Sequence, residues 1–119
     1  MSALLAVLLV SATTRLQVTV WPEGYGSAEI RRYSLACGPA RGTVPRPARA
    51  CSLLSRLGAA AFAPPPRDSV CTAIWGGPAK ARVRGLVGGV AVDARLNLGN
   101  GCEIDRWNRV APVVPRPRS

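Results

Sequence analysis

Arg15-Leu16-Gln17-Val18-Thr19-Val20-Trp21 is the stretch on which the fold turns. Leu16, Val18 and Val20 fall on one face, the period of two that marks a half-buried strand. Pro22 and Gly24 end it. The alternation returns from Glu29 to Ala36, through Ile30, Arg31, Arg32, Tyr33, Ser34 and Leu35, and runs into Cys37. A second strand, antiparallel to the first, is expected there. Ala79 to Arg84 and Val90 to Leu98 read as a hairpin joined near Gly88-Gly89. Val110 to Val114 reads as a closing strand. Pro47 opens a helix, Cys51, Leu54 and Leu57 follow at helical spacing, and Gly58 is a natural stop. Gly38 to Arg46, with Pro39, Gly42 and Pro45, is loop, and Ala59 to Pro66 is a semi-rigid connector. Asn100-Gly101 is a tight-turn signal before Cys102, and Glu103 to Trp107 is one short helical turn. About five strands and one real helix make an α+β sheet fold.

Composition agrees with that pattern. A chain of 119 residues is one domain by prior, and 48% apolar residues are enough for a core. Aromatics are only 5%, so Val, Leu, Ile and Ala must build it. Twelve glycines and eleven prolines favour strands and loops over a helical bundle. There is no histidine. Its absence removes Ser-His-Asp and Cys-His catalysis, His-ligated metals and a His pH switch. The carboxylates Asp68, Asp93, Glu103 and Asp105 show no acid/base spacing. An enzyme is not expected, nor a cofactor.

The apolar run Ala3 to Val10, followed by Val10-Ser11-Ala12, has the h-region and small-x-small site of a secretory signal, without a positive n-region. The same run also reads as a first strand. No run reaches the ~20 apolar residues of a membrane span. Residues 1–14 are expected to be a partial signal peptide or a disordered N-terminus, 15–114 the domain, and 115–119 a flexible tail. The four cysteines, Cys37, Cys51, Cys71 and Cys102, suit two disulfides in an exported chain. Three pairings are open. Sequential pairing closes two modest loops, each worth roughly 3–4 kcal/mol on the chain-entropy model. Zinc is the poorer reading, with no Cys-x-x-Cys and no His.

Ser69-Val70-Cys71-Thr72-Ala73-Ile74-Trp75-Gly76-Gly77-Pro78 has strand-forming residues between Pro64-Pro65-Pro66 and Gly76-Gly77-Pro78. A central strand is not flanked so, and an exposed extended segment is. With a strand into Cys37-Gly38-Pro39, the Gly42-Thr43 loop, a helix carrying Cys51, and a hairpin ending at Gly101-Cys102-Glu103-Ile104, the chain resembles the Streptomyces-type subtilisin inhibitor family over about residues 15–114. The resemblance implies a small secreted inhibitor with a five-stranded antiparallel sheet, two helices, and disulfides Cys37–Cys51 and Cys71–Cys102. It implies a homodimer through the sheet face. It also places the reactive bond two residues after the third cysteine, at Ala73–Ile74. Val70, Cys71, Thr72 and Trp75 then form the protease-contact loop. The best-known members have proline where Thr72 stands and Met or Lys where Ala73 stands. Gly76-Gly77 replaces a stiffer connection with one residue fewer.

A protease receives its substrate as an added strand, so an inhibitor must offer that strand already ordered. A bridge at Cys71 does this beside the scissile bond, and the prolines stiffen both approaches. Small, uncharged Ala73 fits subtilisin-like or elastase-like pockets, Val70 an apolar one, and Trp75 is a primed-side anchor. Trp21 and Trp107 are expected to pack in the core or on the sheet. A secreted, disulfide-stabilised binding module without inhibitory activity is the second reading, supported by Thr72 and Ala73. The net charge of +10 offers Arg41, Arg46, Arg49, Arg82, Arg84, Arg95, Arg106 and Arg109 as a patch for nucleic acid or an anionic surface. They are scattered in sequence and carry no nucleic-acid motif, so no specific nucleic acid is expected. The charge would still speed encounter with an acidic protease.

Overall fold

The computed structural model describes residues 12–117. Strands β1 (Arg15–Trp21), β2 (Arg31–Ala36), β3 (Arg41–Gly42), β4 (Lys80–Val87) and β5 (Val90–Asn97) form one antiparallel sheet in the order β3-β2-β1-β4-β5. Helices α1 (Pro47–Leu57) and α2 (Gly101–Arg109) and a 3₁₀ helix (Gly58–Phe62) complete the α+β domain.

The alternation in β1 sets the register. Leu16, Val18 and Val20 are buried, and they align across the sheet with Leu35 on β2 and with Val83 and Ala81 on β4. Ala94 and Leu96 on β5 continue the same face. A one-residue slip would turn every one of these side chains into water. At roughly 1.5–3 kcal/mol for each large apolar side chain buried, that face fixes the pairing. Gly88 and Gly89, at φ 55° and 79°, form the two-residue turn of the β4–β5 hairpin, a conformation that glycine adopts without steric penalty.

The helical layer covers the buried face. Pro47 starts α1, Ala50 and Leu54 bury its inner stripe, and the Gly58 N–H closes it on the Leu54 carbonyl. In α2, Asn100 is the N-cap, its side-chain oxygen accepting from the Glu103 N–H at 3.0 Å. The tight turn expected at Asn100-Gly101 is therefore a helix start, and the single turn expected at Glu103–Trp107 extends to nine residues. Trp107 is fully buried and donates from Nε1 to the Val114 carbonyl at 2.9 Å.

Val110 to Val114 is not the closing strand expected of it. The segment is a series of turns, with the Val113 and Val114 N–H groups both bonded to the Val110 carbonyl. Pro112 has no N–H to give a ladder, and buried Val110, Val113 and Val114 join Trp107 in the core cluster instead. The fifth strand is Arg41–Gly42, inside the stretch read as loop. The connector expected from Ala59 begins as 3₁₀ helix and buries Ala61 and Phe62. Its carbonyls are held from α2: Arg106 Nη2 donates to Phe62 at 2.6 Å and Arg109 Nε to Ala61 at 3.2 Å. Arg106 is buried, with further bonds to the Arg95 carbonyl and the Glu103 carboxylate. It ties the core together and does not belong to a surface patch.

Candidate functional site

Residues 63–79 form neither helix nor strand. Val70 is 99% exposed, Trp75 71% and Ile74 54%, the largest apolar exposures among the described residues apart from Tyr25 and Val90. Large apolar side chains are not left in water by a core-forming segment. The flanking backbone is nonetheless tied down. Cys71 is disulfide-bonded to Cys102 in the first turn of α2, with Cα atoms 5.2 Å apart. The Thr72 carbonyl accepts from the Gly101 N–H at 2.9 Å, and the Gly76 N–H donates to the Leu98 carbonyl at 2.7 Å. The tie points at 71, 72 and 76 leave Ala73, Ile74 and Trp75 as an arch between them.

Two glycines make this approach possible. A Cβ on Gly101 would lie 3.1 Å from Thr72 Cβ, and one on Gly76 3.0 Å from Ile104 Cδ1 and 3.1 Å from Leu98 Cβ. Gly76 therefore sits where the loop meets the body, and its amide is fixed. Gly24, at φ 87°, supports the exit from below: a Cβ there would lie 3.2 Å from the Pro78 carbonyl.

The backbone bends at Ala73. The Ile74 N–H also donates to the Thr72 carbonyl, at 2.8 Å. That is a three-residue turn, and with no positive φ outside glycine it is the relaxed inverse form. Thr72 turns its carbonyl toward the domain. The N–H and C=O of Ala73 have no backbone partner among the described residues, so they are free for an incoming strand. Upstream, the backbone bond from Ser69 N–H to Pro66 C=O is local, and Val70 stands clear of the body.

The sequence-derived residues Val70, Thr72, Ala73, Ile74 and Trp75 thus lie together on one exposed arch, with Cys71 as its half-buried root. The anchors Leu98, Gly101 and Ile104 were not singled out for this role. Gly101 directly before Cys102 was the available signal, since a glycine beside a bridged cysteine marks close backbone approach. Cys37 and Cys51 form the other disulfide and join the end of β2 to α1. Trp21 meets Tyr25 edge-on at 4.9 Å and takes no part in the arch. Among the described residues no group of three or more His, Cys, Asp or Glu is placed to hold a metal.

The class is an α+β domain stapled by two disulfides that holds out one exposed peptide arch. A family model described as subtilisin inhibitor-like matches residues 12–100, and the chain belongs to that family. It is a protease inhibitor of the subtilisin inhibitor type and not an enzyme. Among solved structures it is similar to Streptomyces caespitosus sermetstatin, crystallised in complex with Bacillus licheniformis subtilisin. The identity is 25%, the match covers 87% of this chain and 98% of that one, and the TM-score is 0.56. No curated protein matches the chain.

Proposed function

We propose that the chain inhibits subtilisin-like serine proteases through the arch, with Ala73–Ile74 as the reactive bond. The observation that carries this reading is the set of ties at Cys71, Thr72 and Gly76, which order the peptide before any protease arrives. Ala73 occupies the primary specificity pocket, Val70 an apolar pocket upstream, and Trp75 the primed side. The outward backbone groups of Ala73 pair with the enzyme as an edge strand. Once the enzyme's serine attacks the Ala73 carbonyl, the Ile74 amine stays beside the acyl carbon. It is kept there by Gly76 on one side and by the Thr72 carbonyl on the other. Religation then competes with hydrolysis. The complex is expected to bury about 1,200–2,000 Å² in total.

The two bonds to the Thr72 carbonyl do for this chain what a proline ring does at that position in the best-known members. Ala73 sets the target: it suits small apolar pockets and lacks the cation that a trypsin-like pocket binds. Ala73→Lys is expected to redirect inhibition to trypsin at unchanged melting temperature. Enzyme titrations with both proteases check it, and an unchanged preference would remove Ala73 from the primary pocket.

Secretion belongs to this reading. Two disulfides in a small domain fit an oxidising compartment. The apolar run proposed as a signal segment lies outside the described residues up to Ser11. A homodimer through the open sheet face also belongs to it. Because that face carries Arg15, Arg32, Lys80, Arg82, Arg84 and Arg95, at the outward positions opposite to buried Leu16, Leu35, Ala81, Val83 and Leu96, the dimer is expected to form in high salt, where like charges are screened. Sedimentation across salt concentrations tests it.

A further inference from the structure

Asparagine followed by glycine is prone to lose its side-chain amide, because glycine has no Cβ to shield its own backbone nitrogen. The chain holds asparagine at 97, 100 and 108, and only Asn100 precedes glycine. Asn97 precedes Leu98 and Asn108 precedes Arg109, whose side chains crowd the attacking nitrogen. Asn100-Gly101 thus has a chemistry that inhibition does not use.

The dipeptide lies directly under the arch. The nitrogen that would attack the Asn100 carboxamide belongs to Gly101, and its N–H donates to the Thr72 carbonyl at 2.9 Å. The carboxamide is engaged elsewhere: Asn100 caps α2, and its Oδ1 accepts from the Glu103 N–H at 3.0 Å. The Asn100 backbone is extended, with ψ 175°, whereas ring closure needs ψ turned until Cβ eclipses the next nitrogen. Both residues are only half-buried, so water and hydroxide reach them. Protection rests on two hydrogen bonds, and the arch supplies one of them. The next residue, Cys102, carries the bridge to Cys71, so the site and the arch's main tie are one unit.

We propose that Asn100–Gly101 is a self-deamidation site that the arch holds shut. When the Thr72 carbonyl withdraws, the Gly101 nitrogen gives its proton to hydroxide and attacks Asn100 Cγ. The carboxamide nitrogen takes a proton from water and leaves as ammonia, and a succinimide joins the two residues. Water then opens the ring at either carbonyl. One product is aspartate with the original main chain; the other is isoaspartate, whose main chain runs through Cβ and Cγ. One water is consumed and one ammonia released, with no change of oxidation state. Aspartate still serves as an N-cap. Isoaspartate adds a methylene to the main chain just before Gly101, so the Gly101 N–H no longer meets the Thr72 carbonyl. An arch that has stayed open long enough to deamidate therefore does not seat again. The consequence for inhibition rests on the arch being the inhibitory element; the deamidation itself does not.

The test ages the protein in mildly alkaline buffer. It follows the mass gain of an amide turned to acid, with isoaspartate labelled by protein isoaspartyl methyltransferase and located in peptides. In the parent, the Gly101 N–H should resist hydrogen exchange and Asn100 should keep its amide. Cys71→Ser/Cys102→Ser, which removes the bridge beside the site, should deamidate at Asn100 about tenfold faster or more. Asn100→Ser, which keeps a capping oxygen, should not change mass. Exchange at Gly101 is read on the parent, so the proposal can fail even where the double variant does not fold. It is overturned by an unprotected Gly101 N–H in the parent, by equal rates in the parent and the folded double variant, or by gain at Asn97 or Asn108 instead. For the second step, the parent and Asn100→Ser are reduced, aged and reoxidised. The parent should lose inhibition of subtilisin in proportion to its isoaspartate, while Asn100→Ser recovers it. Equal recovery of the two contradicts the irreversible step. A fresh parent that does not inhibit subtilisin counts against the inhibitory reading alone, and the rate comparison still decides the deamidation.

Discussion

The two disulfides sit in opposite surroundings. Cys37–Cys51 joins the end of β2 to α1, and both cysteines pack against the core. Cys71–Cys102 has α2 on one side, but on the other it has Val70 and Thr72 in open solvent. The first closes a sequence separation of 14 and the second one of 31. On loop entropy alone both stabilise the fold, by roughly 3 and 3.5–4 kcal/mol. Their functional weights differ because only the second ends next to the peptide that a protease would enter. On the proposed function the same bond serves as a folding staple in one place and as a presentation device in the other.

That contrast is broken most severely by Cys71→Ser/Cys102→Ser. The arch then keeps only its hydrogen bonds, and inhibition should fall by about 100-fold or more as ordering entropy is transferred to the binding step. Inhibition constants and cleavage rates against subtilisin check this, with the double variant behaving as a substrate. Cys37→Ser/Cys51→Ser is the counterpart. It should lower stability by about 3 kcal/mol in denaturant titrations, yet inhibit normally at temperatures where it remains folded. Equal losses of inhibition from both variants would erase the distinction.

A finer probe is Gly101→Ala. Its new methyl would press on Thr72 Cβ from 3.1 Å, shifting the arch by tenths of an ångström. We expect inhibition weakened by about tenfold, an effect of about 1.4 kcal/mol, with little change in melting temperature. The smallest effect concerns the far side of the sheet. Asp93 is held below the ordinary aspartate value of 3.8, first by its hydrogen bond from Arg82. A carboxylate whose folded value lies below its unfolded one adds stability only above the unfolded value. It loses that stability as pH falls through the folded one. Asp93→Asn should therefore be slightly less stable than the parent at neutral pH and equal to it in acid. Inhibition should not follow that change, because the pair does not touch the arch.

Regular elements were legible where a side-chain period repeats. The β1 boundaries, α1 from Pro47 to Gly58 and the Gly88-Gly89 hairpin are all written in local pattern. Val110–Val114 misled because β-branched residues buried in turns have the composition of a strand. The two residues of β3 are too few to show a period. Helix α2 was shortened because Asn100-Gly101 signals a turn or an N-cap equally well. Of the candidate site, Cys71 and the exposed residues after it were readable from proline and glycine punctuation. Its anchors were not, since Gly101 and Leu98 meet Thr72 and Gly76 only through space. Arg106 carried the same surface charge in the sequence as Arg95, and its burial depends on two backbone carbonyls distant in sequence.

The central claim is that the cut ends at Ala73 and Ile74 stay in register. Cleavage there leaves the two pieces joined by Cys71–Cys102, so the nicked chain can be isolated whole. Incubated with a trace of active subtilisin and followed by mass, it should regain the intact peptide bond until a fixed ratio of intact to nicked protein is reached from either direction. Nicked protein that never closes, or that is cut further at other bonds, would contradict the account.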